Sequence, residues 1–300
     1  MKPIIIAGNG PSLAQIDYSR LPKDFDVFRC NQFYFEDRYF LGKKIKGVFF
    51  NPEIFKEQCF TLRHLKERGE YEVEDVYCAR AFDDRYYEMD FFFPFVKNTF
   101  EALQSLPDFL ELDRFYRCYY RKWPTAGIVM LYTALAQGYK EIYLVGIDFY
   151  ESGQTDYAFE IKNKNIGKII PNFNKEEISQ PHTKEVDLSF IQLAQKMDGI
   201  TLYSLSPSSP MSKFIPLAPP PIEKTSFDVL EKPQGYICDL VELPQLETDS
   251  KSIRVRIKNI LHQNHIESIR ENIFYIFARD FWFCCRASFV LLKNIFKILK

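Results

Sequence analysis

The apolar positions of the first half of the chain come in short unbroken runs. Ile4-Ile5-Ile6-Ala7 is uniformly apolar and stops at Gly8-Asn9-Gly10-Pro11-Ser12. Such a run predicts a strand buried on both faces, as in a parallel sheet, followed by a tight turn. Residues 26–31 (DVFRCN), 47–51 (GVFFN) and 72–79 have the same character, and the first two end in Asn. Phe33–Leu41 is a helix or turn candidate. Between 54 and 68 the spacing is helical, with Phe55, Cys59, Leu62 and Leu65 on one side. Residues 80–122 are aromatic and charged; within them 91–95 and 106–120 are expected to pack as a helical subregion over a sheet edge.

Further along, 126–137 predicts a helix, capped by Thr125 and closed by Gly138. Residues 141–149 (EIYLVGIDF) predict a buried strand, 184–197 a helix and 200–205 a strand. The polar stretch 151–181 is long enough to be a functional loop rather than a plain connection. Eight of the 17 prolines fall in 207–244, which predicts an extended linker before a helical tail. Strand–helix alternation of this kind predicts an α/β fold with a mainly parallel sheet. Ligands of such sheets sit at the carboxyl ends of the strands.

Composition changes the picture in the tail. The 300 residues are 46% apolar and 26% charged, which excludes wholesale disorder, and the net charge of −1 argues against a nucleic-acid binder. Residues 251–300, however, carry ten basic and three acidic side chains, so an acidic body of −8 precedes a tail of +7. Arg279, Arg286, Lys293 and Lys300 recur every seven residues with Lys297 on the same side. Together with Phe281, Trp282, Phe283, Phe289, Leu292, Phe296 and Leu299 they describe an amphipathic helix, suited either to anionic lipid or to a protein surface, including a second copy in a homo-oligomer. Seven cysteines without any C-x-x-C pair read as reduced thiols of a cytoplasmic protein. The longest uncharged stretch, 123–139, contains Pro124, Gly127 and Gly138 and reads as a buried helix rather than a membrane span.

Four constellations carry candidate chemistry. Gly8-x-Gly10 suits either a tight turn or a nucleotide phosphate. It is not a dinucleotide fingerprint, because Leu13 occupies the third glycine position and the second strand ends in Asn31 rather than an acid. Asn9, Asn31 and Asn51, with Gln32, place amides at strand ends, where they serve either as turn formers or as partners for sugar hydroxyls. Pro124-Thr125-Ala126-Gly127 opens a helix whose amides cap it or take an anion. His182 stands alone after the polar loop, as a surface residue or a general base, and Tyr150 and Tyr157 lie in the same region.

These pieces, in this order, resemble a known family. IIIAGNGPSL, the run DYSRLPKDFDVFRCNQFYFEDRYFLGKKIKGVFFNP, GYKEIYLVGIDFYESG, YAF and the isolated His182 are similar to the bacterial Cst-type sialyltransferases, glycosyltransferase family 42. The resemblance spans roughly residues 3–206. It implies a Rossmann-like, GT-A-like fold with helices on both faces and a small lid. It also implies inverting, metal-independent transfer of sialic acid from CMP-sialic acid to a terminal galactose or sialic acid of a glycan such as lipooligosaccharide, with no cofactor. By position it makes His182 the base and sets Tyr150 and Tyr157 on the CMP phosphate. Asn9, Gly10, Ser12, Asn31, Asn51, Thr125, Ala126 and Gly127 fall on the donor side. Glu53, Arg121, Lys122 and Trp123 fall on the acceptor side. The family's usual Arg-Ile-Thr-Ser-Gly turn is Trp-Pro-Thr-Ala-Gly here, so Ala126 lacks a hydroxyl. That keeps open a transferase for another CMP-activated nonulosonic or ulosonic acid, and a silent glycan- or nucleotide-binding protein stands as the non-enzymatic alternative. On this reading the chain divides into a catalytic domain 1–206, a linker 207–250 and a basic tail 251–300 whose segment 270–300 holds it to the inner face of the bacterial inner membrane.

Overall fold

In a computed structural model the described residues are 1–79, 95–97, 99–149, 157–161, 164–170, 181–221, 227–244 and 273–298, with side chains of the last segment described from 275 to 292. The strands are β1 Ile4–Ala7, β2 Asp26–Cys30, β3 Arg38–Tyr39, β4 Lys44–Phe50, β5 Glu72–Cys78, β6 Val96–Lys97, β7 Glu141–Val145, β8 Thr201–Ser204 and β9 Leu230–Glu231. The α-helices are α1 Phe55–Glu67, α2 Thr99–Leu103, α3 Pro107–Tyr120, α4 Ala126–Ala136, α5 Ile166–Ile169, α6 Lys184–Gln195 and α7 Ile273–Ile298.

Seven strands form one sheet in the order β6-β5-β4-β2-β1-β7-β8, and every pairing in it is parallel. The unbroken apolar run of β1 follows from its central place. Successive side chains of a strand point to opposite faces. Ile4 and Ile6 therefore join the cluster under α4 and α6, while Ile5 and Ala7 join a second cluster with Leu13, Leu21, Tyr143 and Val145. All four are fully buried, and each of the three isoleucines contributes roughly 1.5–3 kcal/mol.

β2 carries a charge that the apolar pattern passes over. Arg29 and Glu36 are 1% and 0% exposed and pair at 2.8 Å. The Tyr71 hydroxyl donates to Glu36 Oε1 at 2.7 Å, and Lys232 Nζ donates to the Tyr71 hydroxyl at 2.7 Å.

Lys232 belongs to the stretch expected as a linker. The structure differs there: the first compact unit runs from Met1 to Leu243. Ile215, Ala218 and Leu240 are buried, β9 pairs with β3, and the Ile237 amide donates to buried Glu70 at 3.1 Å. The prolines shape an extended segment, but its apolar side chains still gain burial against the body. Phe33–Leu41 resolves into a short 3-10 helix, Phe33–Phe35, and β3. The strand expected over 141–149 ends at Val145, because Gly146 and Phe149 take left-handed backbone, φ 66° and 63°. Of the functional loop expected over 151–181, residues 157–161, 164–170 and 181 are described, with Asn165 bound to Asp239 and Leu240. The remainder, and 91–94 of the aromatic stretch, lie outside the described residues.

The second unit, Pro244–Lys300, contains α7. Tyr275, Phe277, Phe281, Trp282, Phe283, Phe289, Val290, Leu291 and Leu292 are exposed along it. No described helix is long and apolar enough to cross a membrane.

Candidate active site

The sheet reverses at β1: β2, β4, β5 and β6 lie to one side, and β7 and β8 to the other. Open α/β sheets bind ligands beyond the strand ends at this switch point. A crevice is present there, lined by residues 8–11 after β1, Cys30 and Asn31 after β2, residues 125–127 at the start of α4, residues 146–149 after β7, Tyr157 and Asp187.

The glycine turn works differently from the phosphate cradle expected of it. The Gly8 and Gly10 amides donate to the carbonyls of Val145 and Gly146, both at 2.9 Å. The Ser12 amide donates to Asp148 Oδ2 at 2.8 Å, and the Ser12 hydroxyl accepts from the Gly146 amide at 2.9 Å. A Cβ on Gly8 would lie 2.2 Å from the Gly146 carbonyl oxygen, and one on Gly10 2.5 Å from Asp148 Oδ2. The glycines thus let two strand ends cross at backbone contact, and these amides are committed to the protein. Ser12 is buried and does not line the crevice.

Asn9 is the polar side chain of this turn that lines the crevice. Its Nδ2 donates to the Cys30 carbonyl at 3.0 Å. Its Oδ1 has no partner among the described residues, although Asn9 is only 6% exposed. Buried polar atoms are almost always paired, so an unpaired acceptor in a crevice wall marks a ligand contact. Asn31 sits in left-handed backbone, φ 49°, and its Oδ1 accepts from the Asn51 amide at 3.1 Å. Asn51 itself is not among the crevice-lining residues; it precedes a 3-10 helix, Pro52–Ile54, on which Glu53 is exposed.

Across the crevice, segments 123–125 and 181–187 are joined by a seam of four hydrogen bonds. The Trp123 amide donates to the Pro181 carbonyl at 3.1 Å, and His182 Nδ1 meets the Trp123 carbonyl at 3.0 Å. The Thr125 amide and hydroxyl donate to the two oxygens of Asp187 at 3.0 and 2.7 Å. A carbonyl only accepts, so His182 Nδ1 carries the proton and the ring's lone pair lies on Nε2. Thr125 caps α4 with its backbone while its hydroxyl serves Asp187. Ala126 and Gly127, at the positive end of the α4 dipole, line the crevice. Burial pushes the Asp187 carboxyl up to about 7.

Tyr157 lines the crevice beside the Ala158 amide, which donates to the Asn9 carbonyl at 2.9 Å. Tyr150 lies outside the described residues. On the far side, Arg121 closes α3 in left-handed backbone, φ 53°, and is exposed. Lys122 and Trp123 are half-buried, and the Arg117 guanidinium lies 5.5 Å over the Trp123 ring.

Three residues escaped the sequence reading. Asp187 shares the apolar side of α6 with Phe190, Ile191 and Ala194, and Gln58 shares that of α1 with Phe55, Cys59 and Leu62. A lone polar residue on an i, i+3, i+4, i+7 stripe was the available signal. Gln58 is fully buried, with both amide atoms unpartnered among the described residues. Asp148 was absorbed into the strand expected over 141–149. Among the described residues no three His, Cys, Asp or Glu side chains gather as a metal site. One Asp-x-Asp spacing, Asp24 and Asp26, meets Lys2 at 3.2 and 3.1 Å at the amino edge of β2, the opposite end of the sheet.

An all-parallel sheet with its crevice at the switch point, lined by Asn9, Asn31 and the start of α4, defines a Rossmann-like α/β protein with a site for a polar ligand. Comparison with known proteins narrows that class. The chain belongs to the alpha-2,3-sialyltransferase (CST-I) family, whose model matches residues 2–277. Sialyltransferase CstII from Campylobacter jejuni, solved with the substrate analogue CMP-3FNeuAc, is 43% identical, with a TM-score of 0.73 over 82% of this chain and 97% of that one. The monofunctional alpha-2,3-sialyltransferase Cst-I of the same organism is 37% identical, with a TM-score of 0.75 over 89% and 96%. A Haemophilus influenzae protein of uncharacterised function is 33% identical over 165 residues, 55% of this chain and 70% of its own.

Proposed function

We propose that the protein transfers sialic acid from CMP-sialic acid to a terminal galactose or sialic acid hydroxyl of a surface glycan such as lipooligosaccharide, with inversion. The observation that carries this reading is the seam binding His182 to the start of α4. It ties the imidazole to the Trp123 carbonyl, just ahead of Thr125, Ala126 and Gly127, which line the crevice together with Asn9 and Tyr157. Similar proteins have been solved with CMP-3FNeuAc and with a trisaccharide acceptor and CMP.

In this mechanism the α4 amides hold the donor's carboxylate, and Asn9 and Asn31 contact the donor through their amides. Loss of CMP leaves an oxocarbenium-like centre, as in glycoside hydrolysis. Charge develops on the departing phosphate, where the Tyr157 hydroxyl, together with Tyr150, donates hydrogen bonds. The attacking hydroxyl gives its proton to His182 Nε2, a step of the kind that contributes roughly 10²–10⁴-fold. The reaction is proposed to need no metal. Trp123, Lys122, Arg121 and Glu53 bound the acceptor side.

Release of CMP from CMP-sialic acid on adding a terminal galactoside, followed by linkage analysis of the product, tests the reading. No acceptor-dependent release would reject it. Release from a different CMP-activated ulosonic acid alone would favour the alternative donor that Ala126 leaves open.

The exposed aromatic residues and arginines of α7 suit the surface of an anionic membrane, where the acceptor lipid would lie. Flotation with anionic liposomes of the full chain, and not of a 1–250 truncation, is the expected result. Equal flotation of both forms would count against a membrane role and leave α7 a protein-docking helix.

A further inference from the structure

We propose that Asp187 is a positioning residue that sets donor affinity by charge: neutral, it holds Thr125 and the α4 terminus ready for the donor's anion, and ionised, it repels that anion. The inference rests on the preceding reading of α4 and deepens it.

The geometry carries the argument. Asp187 lies in the first turn of α6 and reaches across to the cap of α4, where both its oxygens are taken up by Thr125. It is 1% exposed yet forms part of the crevice wall. That this crevice takes a ligand has independent support in Asn9, whose buried Oδ1 lines it unpartnered. Titratable groups facing Asp187 from its own segment are His182, Lys184 and Glu185; across the crevice they are Asp148, Tyr157 and Cys30; α3, packed on α6, adds Tyr116 and the Asp113–Arg117 pair. Burial raises the Asp187 carboxyl, and the two hydrogen bonds from Thr125 are what oppose it.

Either protonation state satisfies the Thr125 contacts. The carboxylate accepts from both the amide and the hydroxyl. The acid accepts from the amide and donates to the hydroxyl oxygen, which rotates to receive it. Charge therefore changes without loss of the seam. Burial places the transition at about 7. An anion seated at Ala126 and Gly127 favours the neutral form, and by linkage the neutral form favours the anion.

The test is the pH dependence of the KM for CMP-sialic acid, between pH 6 and 8, in the wild-type chain and in Asp187→Asn. Asparagine keeps the shape and both Thr125 contacts but carries no charge. Wild-type KM is expected to rise by about tenfold, the linkage equivalent of one pKa unit, while Asp187→Asn keeps the low KM throughout. The base acts on kcat, so both proteins should share one kcat profile. Parallel KM profiles, with Asp187→Asn folded as judged by its thermal midpoint, would overturn the inference and leave Asp187 purely structural. A wild-type chain that turns over no CMP-sialic acid would instead overturn the reading of the site.

Discussion

Replacing Gly8 by alanine is predicted to damage activity out of proportion to its size. Gly8 needs no unusual backbone; it lacks a positive φ. What it needs is room. A Cβ there would stand 2.2 Å from the Gly146 oxygen and 2.9 Å from its carbonyl carbon, against a floor of 3.0 Å for real Cβ atoms. The obstacle is backbone, and it is fixed by the Gly8 amide donating to Val145 and the Gly10 amide donating to Gly146. The ends of β1 and β7 must then separate by about 0.8 Å, the shortfall from that floor. Overpacking of this sort typically costs about 1–3 kcal/mol, so the urea midpoint should fall without loss of cooperativity. The same movement opens the crevice between Asn9 and Asp148. A displacement near 1 Å costs catalysis about 10²-fold. Gly167→Ala is the control: a Cβ there meets nothing within 4 Å, and in α5 alanine is the better helix former by about 0.5–1 kcal/mol. Wild-type kcat/KM and urea midpoint in Gly8→Ala would refute the reasoning that this glycine exists for the strand crossing.

Two further outcomes follow from buried charges. Asp187 keeps a proton in the folded chain up to about pH 7, whereas the unfolded carboxyl, with an ordinary value of 3.8, loses it near pH 4. Wild-type stability should therefore fall as pH rises from 4 to 7 and level off above; Asp187→Asn should remove that slope, a gain bounded at about 4 kcal/mol at pH 8, and equal urea midpoints of the two proteins at pH 5 and at pH 8 would contradict it. Glu36→Gln should lower stability by roughly 3–5 kcal/mol, because it strands Arg29 in the core; a loss below about 1 kcal/mol by chemical denaturation would contradict it.

Much of the fold was legible because parallel strands buried on both faces have a direct signature. Ile4–Ala7, Val27–Cys30 and Ile142–Val145 read as strands for the reason that they are buried. The crevice lining was legible where an asparagine closes a strand, as with Asn9 and Asn31. Geometry without a signature was lost. Whether the Gly8 turn offers its amides to a ligand or to β7 depends on a partner 137 residues away. Whether prolines make a free linker or a packed strap depends on what Ile215, Ala218 and Leu240 find to bury against. Asp187 was legible in principle, as one polar residue on an apolar stripe, but the contact that gives it meaning, Thr125, is 62 residues away.

The central claim is that the seam presents His182 Nε2 as the base for sialyl transfer. His182→Ala removes that base while leaving Thr125, Asp187 and the α4 amides in place. Single-turnover transfer from CMP-sialic acid to a galactoside, measured beside donor binding by calorimetry, tests it most directly. The account predicts a transfer rate lower by roughly 10²–10⁴-fold with donor affinity close to wild type. A His182→Ala protein that transfers at the wild-type rate would contradict it.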